Sequence, residues 1–147
     1  MSATPHQAPH QAPHQATCVA VKGRGILIEG ATGSGKSSLA LALIDRGAAL
    51  VGDDGVLLER RGGRLWALPA PTIAGLIEIR NVGLVKMPAA PAPVALLVRL
   101  DRDAPRHVEA AEGAALHGAV VPLIRLWPDT PALALRVEWA LRMHGLA

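Results

Sequence analysis

Residues 30–37 of the chain read GATGSGKS and match the pattern G-x-x-x-x-G-K-[ST] at every fixed position. The stretch lies between an apolar run at residues 25–29, typical of a strand, and the helix-forming run SSLALALIDR at residues 37–46. A strand, a glycine-rich turn and a helix in this order form a phosphate-binding loop. A glycine-rich turn without a ligand has no use for the Lys-Ser pair at this register. The octapeptide therefore predicts an α/β fold organised around a phosphate site.

The chemistry of this loop favours a triphosphate as its ligand. Glycines let successive backbone N–H groups point inward, and the positive end of the following helix adds to the field that a phosphate feels. Lys36 is expected to contact the β- and γ-phosphates, and the Ser37 hydroxyl to bind the Mg²⁺ that bridges them. The predicted nucleotide-binding residues are Gly30, Ala31, Thr32, Gly33, Ser34, Gly35, Lys36, Ser37 and Ser38.

Two adjacent carboxylates indicate what happens to the bound phosphate. Asp53 and Asp54 follow the apolar run 48–51, which is expected to form a buried strand. In a parallel sheet they would lie at the carboxyl end of that strand, where ligands bind. One carboxylate could bind Mg²⁺ while the other accepts a proton from an attacking hydroxyl. A solvated Asp-Asp-Gly turn is the alternative interpretation.

A further charged pair lies in the alternating run LIEIR at residues 76–80. In a strand, Glu78 and Arg80 share the face opposite Ile77 and Ile79. From the residues alone, an outward-facing ion pair is favoured over a metal ligand at Glu78.

The rest of the chain reads as many short strands and one more helix. The expected strands cover residues 18–21, 25–29, 56–60, 64–68, 77–80, 94–100 and 122–127. The first two form either a hairpin or two neighbouring strands, and Gly62-Gly63 favours a tight hairpin between the third and fourth. Residues 101–118 are polar and receive no assignment. A C-terminal helix is predicted over 130–144, with Thr130 as N-cap and Gly145 beyond its end.

The amino terminus has a different composition. Residues 5–16 read PHQAPHQAPHQA, in which proline recurs too often for a helix to propagate. Residues 1–16 are therefore predicted to be a disordered arm, and residues 17–147 the folded domain. Metal chelation by His6, His10 and His14 is the alternative function of the repeat.

Length and composition exclude several classes of protein. The chain has 147 residues, of which 50% are hydrophobic, so it can form one domain with its own core. A single cysteine excludes a disulfide scaffold and a thiolate zinc cluster. Three Trp residues, without Tyr or Phe, and a net charge of +3 argue against nucleic-acid binding. No apolar run reaches the length of a membrane span, and no secretion signal is recognised, so a cytoplasmic location is expected.

Three blocks together resemble one known family. GATGSGKS, LVGDDGVLL at residues 50–58 and GLIEIRNVGLV at residues 75–85 are similar, in this order, to the catalytic domain of bacterial HPr kinase/phosphorylase. The resemblance covers residues 16–142 and is to short forms that lack the N-terminal domain. The last block is the specific one, because many unrelated nucleotide-binding families share the loop.

The resemblance implies a fold, an activity and residue roles. It implies the P-loop-containing fold of HPr kinase and phosphoenolpyruvate carboxykinase, strand-rich, with a buried helix after the loop and a C-terminal helix. The implied activity is ATP- and Mg²⁺-dependent phosphorylation of a serine of the carrier protein HPr, with phosphorolysis in reverse, in a hexamer. Asp53 would be the catalytic base and Asp54 its neighbour. Ser37 and Glu78 would bind Mg²⁺, and Arg80 is the signature arginine.

The chain also departs from the family pattern. Gln15 stands where the family commonly has a histidine, and His14 is one residue out of register. Asn81 replaces a usual glycine, and Arg102 and Arg106 are the candidates for a later arginine that faces the phosphate. Two other functions stay open: a small-molecule kinase with residues 101–118 as its lid, and an ATP-binding sensor module that transfers no phosphate.

Overall fold

The structure is a computed structural model that describes residues 10–147. Within this range the chain forms eleven strands, two α-helices and one short 3₁₀ turn. The strands are β1 (Gln11–His14), β2 (Thr17–Val21), β3 (Arg24–Glu29), β4 (Ala49–Gly52), β5 (Val56–Arg61), β6 (Arg64–Pro69), β7 (Leu76–Ile79), β8 (Gly83–Lys86), β9 (Ala92–Leu100), β10 (Glu112–Leu116) and β11 (Ala119–Leu126). The helices are α1 (Lys36–Asp45) and α2 (Leu133–His144), and the 3₁₀ turn covers Pro71–Ile73.

Nine of these strands form one mixed sheet. Its main path runs β1-β5-β6-β9-β3-β2-β4, and β11 joins it beside β9, with β10 as its outer neighbour. The two runs before the loop form an antiparallel hairpin, β2 with β3, which settles the alternative that the sequence left open. The remaining strands, β7 and β8, form a separate antiparallel pair. Strand β3, which enters the loop, therefore lies inside the sheet between β9 and β2.

The core lies on both faces of the central strands. On β3, Ile26 and Ile28 belong to the cluster that α1 and α2 cover, whereas Leu27 belongs to the cluster on the opposite face. This alternation is the period of two that a strand imposes on its side chains. Helix α1 buries Leu39 and Leu43 in the first cluster. Because one face of α1 is buried against the sheet, the start of α1, and with it the end of the glycine-rich loop, has a fixed position.

The direction of the strands brings two carboxyl ends together. Both β3 and β4 pair antiparallel with β2, which lies between them, so they run in the same direction. The parallel sheet that the sequence argument assumed is a mixed one at β4: strand β2 is antiparallel to β4, and Leu50 forms an isolated parallel bridge to Ala89. The functional consequence nevertheless holds. The loop after β3 and the Asp-Asp turn after β4 emerge at the same edge.

The structure corrects the prediction of a disordered arm, because part of that arm forms strand β1. Gln11–His14 pairs antiparallel with β5, and the Gln11 side chain donates a hydrogen bond to Glu59 at 2.8 Å. Proline is compatible with such an edge strand, although it forbids a helix. The arm is therefore not disordered at Gln11–His14. Residues 1–9, which include His6, lie outside the described residues.

Two further expectations about secondary structure need correction. Helix α2 begins at Leu133 with Ala132 as its N-cap, and the Thr130 hydroxyl is buried without a hydrogen-bond partner, so Thr130 is not the cap. Gly145 follows the helix as predicted. Strands β8 and β10 were missed, and β10 lies in the segment that received no assignment.

No helix among residues 10–147 is long and apolar enough to cross a lipid bilayer.

We predict that the first core cluster carries much of the stability. Leu96 on β9 is fully buried there, so Leu96→Ala should lower the free energy of unfolding by about 2–5 kcal/mol. The same change at Leu135, which is 44% exposed on α2, should alter it by no more than about 0.5 kcal/mol. Urea unfolding followed by tryptophan fluorescence measures both, and equal losses would contradict the assignment of the core.

Candidate functional site

The glycine-rich loop connects β3 to α1 in a conformation that its glycines permit. Gly33 and Gly35 have φ angles of 80° and 98°, in the region that disfavours side chains. At Gly30 a Cβ atom would lie 2.6 Å from the Ser34 hydroxyl oxygen, so a larger residue there would displace the Ser34 side chain. The Ser34 hydroxyl is itself buried without a hydrogen-bond partner among the described residues. The loop is thus a compact turn in which Gly30 and Ser34 lie close together.

The positive charge of Lys36 lies at the start of this loop. Its ammonium group donates hydrogen bonds to the carbonyl oxygens of Gly30, at 2.7 Å, and Ala31, at 3.3 Å. The first N–H groups of α1 lack helical acceptors, as at the beginning of any helix. An ammonium group and free N–H donors at one helix end provide what an anion needs.

Asp53 connects three elements of the site. It follows β4, is 6% exposed, and accepts hydrogen bonds on Oδ1 from Ser37 Oγ at 2.7 Å and Thr17 Oγ1 at 3.1 Å. The backbone N–H of Glu78 donates to its Oδ2 at 3.3 Å. The end of β4 is therefore tied to the loop helix, to β2 and to β7. The interpretation of a solvated turn is wrong for Asp53.

Asp54 has a different environment from its neighbour. Its side chain is exposed, and its φ of 61° is in the left-handed region that Asp tolerates better than most residues. Its backbone N–H points to Thr17 Oγ1 at 3.5 Å. Two adjacent carboxylates thus face different surroundings, one buried and hydrogen-bonded and the other in solvent.

Glu78 on β7 and Arg80, directly after that strand, extend the site. Both side chains are exposed, and no ion pair joins them, so the favoured interpretation of an outward-facing ion pair was wrong. Both line the same cleft as the loop and Asp53. The sequence therefore identified residues that the fold brings to one place.

This cleft has a volume of about 830 Å³. It is lined by Thr32, Gly33, Ser34, Gly35, Lys36, Ser37, Ser38, Leu39, Ala42, Asp53, Asp54, Ile73, Leu76, Glu78, Arg80, Leu84, Asp129, Thr130, Pro131, Leu133 and Ala134. Gly30 and Ala31 line a neighbouring cavity of about 500 Å³, which shares Thr32 and Lys36 with the cleft.

Sequence reasoning missed Thr17 and the apolar and C-terminal walls of the cleft, Leu84 and Asp129 among them. No local signal marks them, because each is an ordinary strand or turn residue until the chain folds.

Of the candidates for a later arginine, Arg102 pairs with Asp129 at 3.0 Å and so lies next to the cleft wall. Arg106 is exposed and does not line the cleft.

The donor atoms in the cleft fit Mg²⁺. Ser37 and Glu78 offer a hydroxyl and a carboxylate, and hard oxygen ligands are what Mg²⁺ prefers. No group of three His, Cys, Asp or Glu side chains converges on a metal position anywhere in residues 10–147. That is compatible with Mg²⁺, which is bound through one or two protein ligands together with phosphates and water.

An ionic network lies beside the loop, on the side of the smaller cavity. Glu29 accepts a hydrogen bond from His14 at 2.6 Å and pairs with Arg99 at 2.9 Å. The hydrogen bond from His14, followed by that from Arg99, holds the pKa of the Glu29 carboxyl below its ordinary value against the effect of burial. Gln15 lines the cavity next to this network. His14 is thus engaged with Glu29 and makes no contact with Asp53.

Comparison with known proteins gives the family. The model of the HPr Serine kinase C-terminal domain matches residues 6–90. The chain belongs to this family. Among curated relatives, HPr kinase/phosphorylase of Streptococcus thermophilus LMD-9 is 46% identical over 68 residues, which are 46% of this chain and 22% of the relative. The corresponding protein of Mycoplasmopsis pulmonis is 42% identical over 69 residues, 47% of this chain and 22% of the relative.

A solved structure extends the similarity beyond the matched segment. The Hpr(Ser) kinase/phosphatase from Coxiella burnetii superposes with a TM-score of 0.78 at 28% identity, covering 89% of this chain and 88% of that one. The chain therefore matches about a fifth of the length of the curated relatives but most of this structure. The family resemblance and the fold class that the sequence predicted are both confirmed.

We predict that Glu29 stabilises the fold near neutral pH and that this contribution to the free energy of unfolding is lost in acid. Because its folded pKa is lowered, its contribution is complete above the ordinary pKa of a glutamate and is lost as the pH falls through the folded value. Glu29→Gln should therefore cost about 1 kcal/mol near neutral pH, allowing for solvent screening. The difference from the unmodified chain should shrink as the pH falls from about 7 to about 3.

The matched control is Glu109→Gln, at an exposed glutamate outside the ion pairs found in the described residues. Urea unfolding across the pH range measures both variants. A constant difference between Glu29→Gln and the unmodified chain at all pH values would contradict this account.

Proposed function

We propose that the chain is an ATP- and Mg²⁺-dependent serine kinase that phosphorylates HPr or a close homologue. The observation that carries the proposal is the single cleft lined by the phosphate loop, Asp53 and Glu78, in a member of the HPr serine kinase family. Its relatives are named HPr kinase/phosphorylase, so phosphorolysis with inorganic phosphate is part of the proposal. A cytoplasmic location and a homo-oligomer, hexameric in the family, remain predictions.

In this proposal the loop and Lys36 bind the triphosphate. The ammonium group at the loop start and the free N–H groups of α1 neutralise and orient the phosphates. Ser37 and Glu78 hold Mg²⁺, which would reduce the negative charge on the phosphates that the nucleophile approaches.

Asp53 acts on the serine of the substrate. A carboxylate at the cleft wall can accept the proton of the serine hydroxyl as its oxygen attacks the terminal phosphorus. In the reverse direction the same group returns a proton to the leaving serine oxygen. Arg80 is exposed in the same cleft and can contact the transferred phosphate. Direct in-line transfer needs no covalent enzyme intermediate.

Labelled ATP distinguishes this function from its rivals. The chain is incubated with γ-labelled ATP, Mg²⁺ and HPr from the same genome, and separately with a metabolite extract. Label on HPr supports the proposal. Label on a small molecule indicates a metabolite kinase, and tight ATP binding without transfer indicates a sensor, and either outcome overturns it.

Asp53→Asn should separate binding from transfer. The amide keeps one oxygen to accept the Ser37 and Thr17 hydroxyls but cannot take up a proton, so transfer to HPr should fall by about 10²–10⁴-fold while ATP affinity changes little. The control is Asp45→Asn, an exposed position on α1 that should transfer normally. Transfer by Asp53→Asn at the unmodified rate would remove this residue from the mechanism.

Lys36→Ala should have the complementary effect. Loss of the ammonium group removes a charged donor to the phosphates, so the Kd for ATP should rise by about 10- to 100-fold. Lys86→Ala, at an exposed lysine of β8 outside the cleft, is the matched control. Isothermal titration measures both affinities, and an unchanged Kd for Lys36→Ala would contradict nucleotide binding at this loop.

A further inference from the structure

Thr17 is a buried polar residue that the family motifs do not include. It is the first residue of β2 and is 1% exposed. Its hydroxyl donates a hydrogen bond to Asp53 Oδ1 at 3.1 Å and lies 3.5 Å from the backbone N–H of Asp54, which it can accept. A threonine hydroxyl has one proton and two lone pairs, so it can make both contacts at once. One side chain thereby holds both residues of the Asp-Asp turn.

A β-bulge brings Thr17 to this position. Between β2 and β4 the register shifts at Cys18/Val19, so that Cys18 lies opposite Gly52. The next position on each strand is then Thr17 on β2 and Asp53 after β4. Without the shift, Thr17 would lie opposite Gly52 instead. Bulges beside active sites commonly re-aim a side chain in this way.

The other two restraints on Asp53 come from outside the main sheet. Ser37 Oγ is on the loop helix, and the Glu78 N–H is on β7, which belongs to the separate two-stranded sheet. Thr17 is the one of these three donors that lies in the main sheet, next to β4 itself. It can therefore fix the carboxylate relative to the strand that carries it.

We propose that Thr17 is a positioning residue that orients the Asp53 carboxylate for proton transfer from the substrate serine. The inference rests on the proposed kinase function. The Thr17 hydroxyl is hydrogen-bonded to the Asp-Asp turn and does not line the cleft, so it would act through Asp53. Displacement of a reacting group by about 1 Å can cost about 10²-fold in rate. Its effect should therefore appear in kcat and not in the affinity for ATP.

The test compares Thr17→Val with Thr17→Ser. Valine keeps the branched shape and strand propensity but has no hydroxyl, so kcat for HPr phosphorylation should fall by about 10- to 100-fold. The KM for ATP should stay within about twofold. Serine keeps the hydroxyl, and Thr17→Ser should retain kcat within about threefold. Thr72→Val, at an exposed threonine outside the cleft, should leave both constants unchanged.

A double variant separates orientation from stability. In the Asp53→Asn background, Thr17→Val should lower the residual transfer by less than about twofold, because the group it orients no longer accepts a proton. A structural role would instead give the same loss in both backgrounds. Thr17→Ala replaces Thr17→Val if the latter does not fold, as judged by circular dichroism.

The outcomes also separate this inference from the proposed function. If the unmodified chain transfers no phosphate to HPr, both fall. If it transfers phosphate and Thr17→Val keeps its kcat, or if Thr17→Ser is as impaired as Thr17→Val, only the role of Thr17 is overturned.

Discussion

The carboxylate of Asp53 is the point at which the candidate site is held together. Three donors from three elements converge on it: the Ser37 hydroxyl at 2.7 Å, the Thr17 hydroxyl at 3.1 Å and the Glu78 N–H at 3.3 Å. A buried carboxylate without such partners would carry a large desolvation cost. The loop helix, β2 and β7 all approach the end of β4, and each supplies one donor to this buried carboxylate. The same three hydrogen bonds therefore account for the burial of Asp53 and for the elements that meet at the cleft.

The mixed sheet explains why these elements can meet. In a parallel sheet, neighbouring strands end at one edge by construction, and helices connect them. Here β2 is inserted antiparallel between β3 and β4, yet the two flanking strands still run in the same direction. Burial of Leu39 and Leu43 then fixes α1 against the sheet, so its first turn lies near the Asp-Asp turn. The glycine-rich loop and the Asp-Asp turn therefore meet at one edge although β3 and β4 are not adjacent parallel strands.

Local chemistry determined what could be predicted from the sequence. The loop, the hairpin at Gly62-Gly63 and helix α1 follow from short-range rules, and the structure contains all three. Long-range pairing decided the rest. Gln11–His14 is a strand because it pairs with β5. Glu78 lies on β7, which pairs with β8 in a separate sheet beside the cleft. Thr17 is adjacent to Asp53 only through a bulge, which no pattern in the sequence reveals.

The hydrogen-bonding capacity of two side chains decides whether this arrangement can serve both binding and transfer. An ionised carboxylate has about four acceptor positions, and three donors occupy Asp53, so one position remains for the proton of a substrate hydroxyl. Ser37 uses its single proton on Asp53, and its lone pairs stay available to a cation. The bond between these two residues therefore competes with neither proposed role. It links the proposed proton acceptor to the proposed metal ligand, and it joins the loop helix to the end of β4.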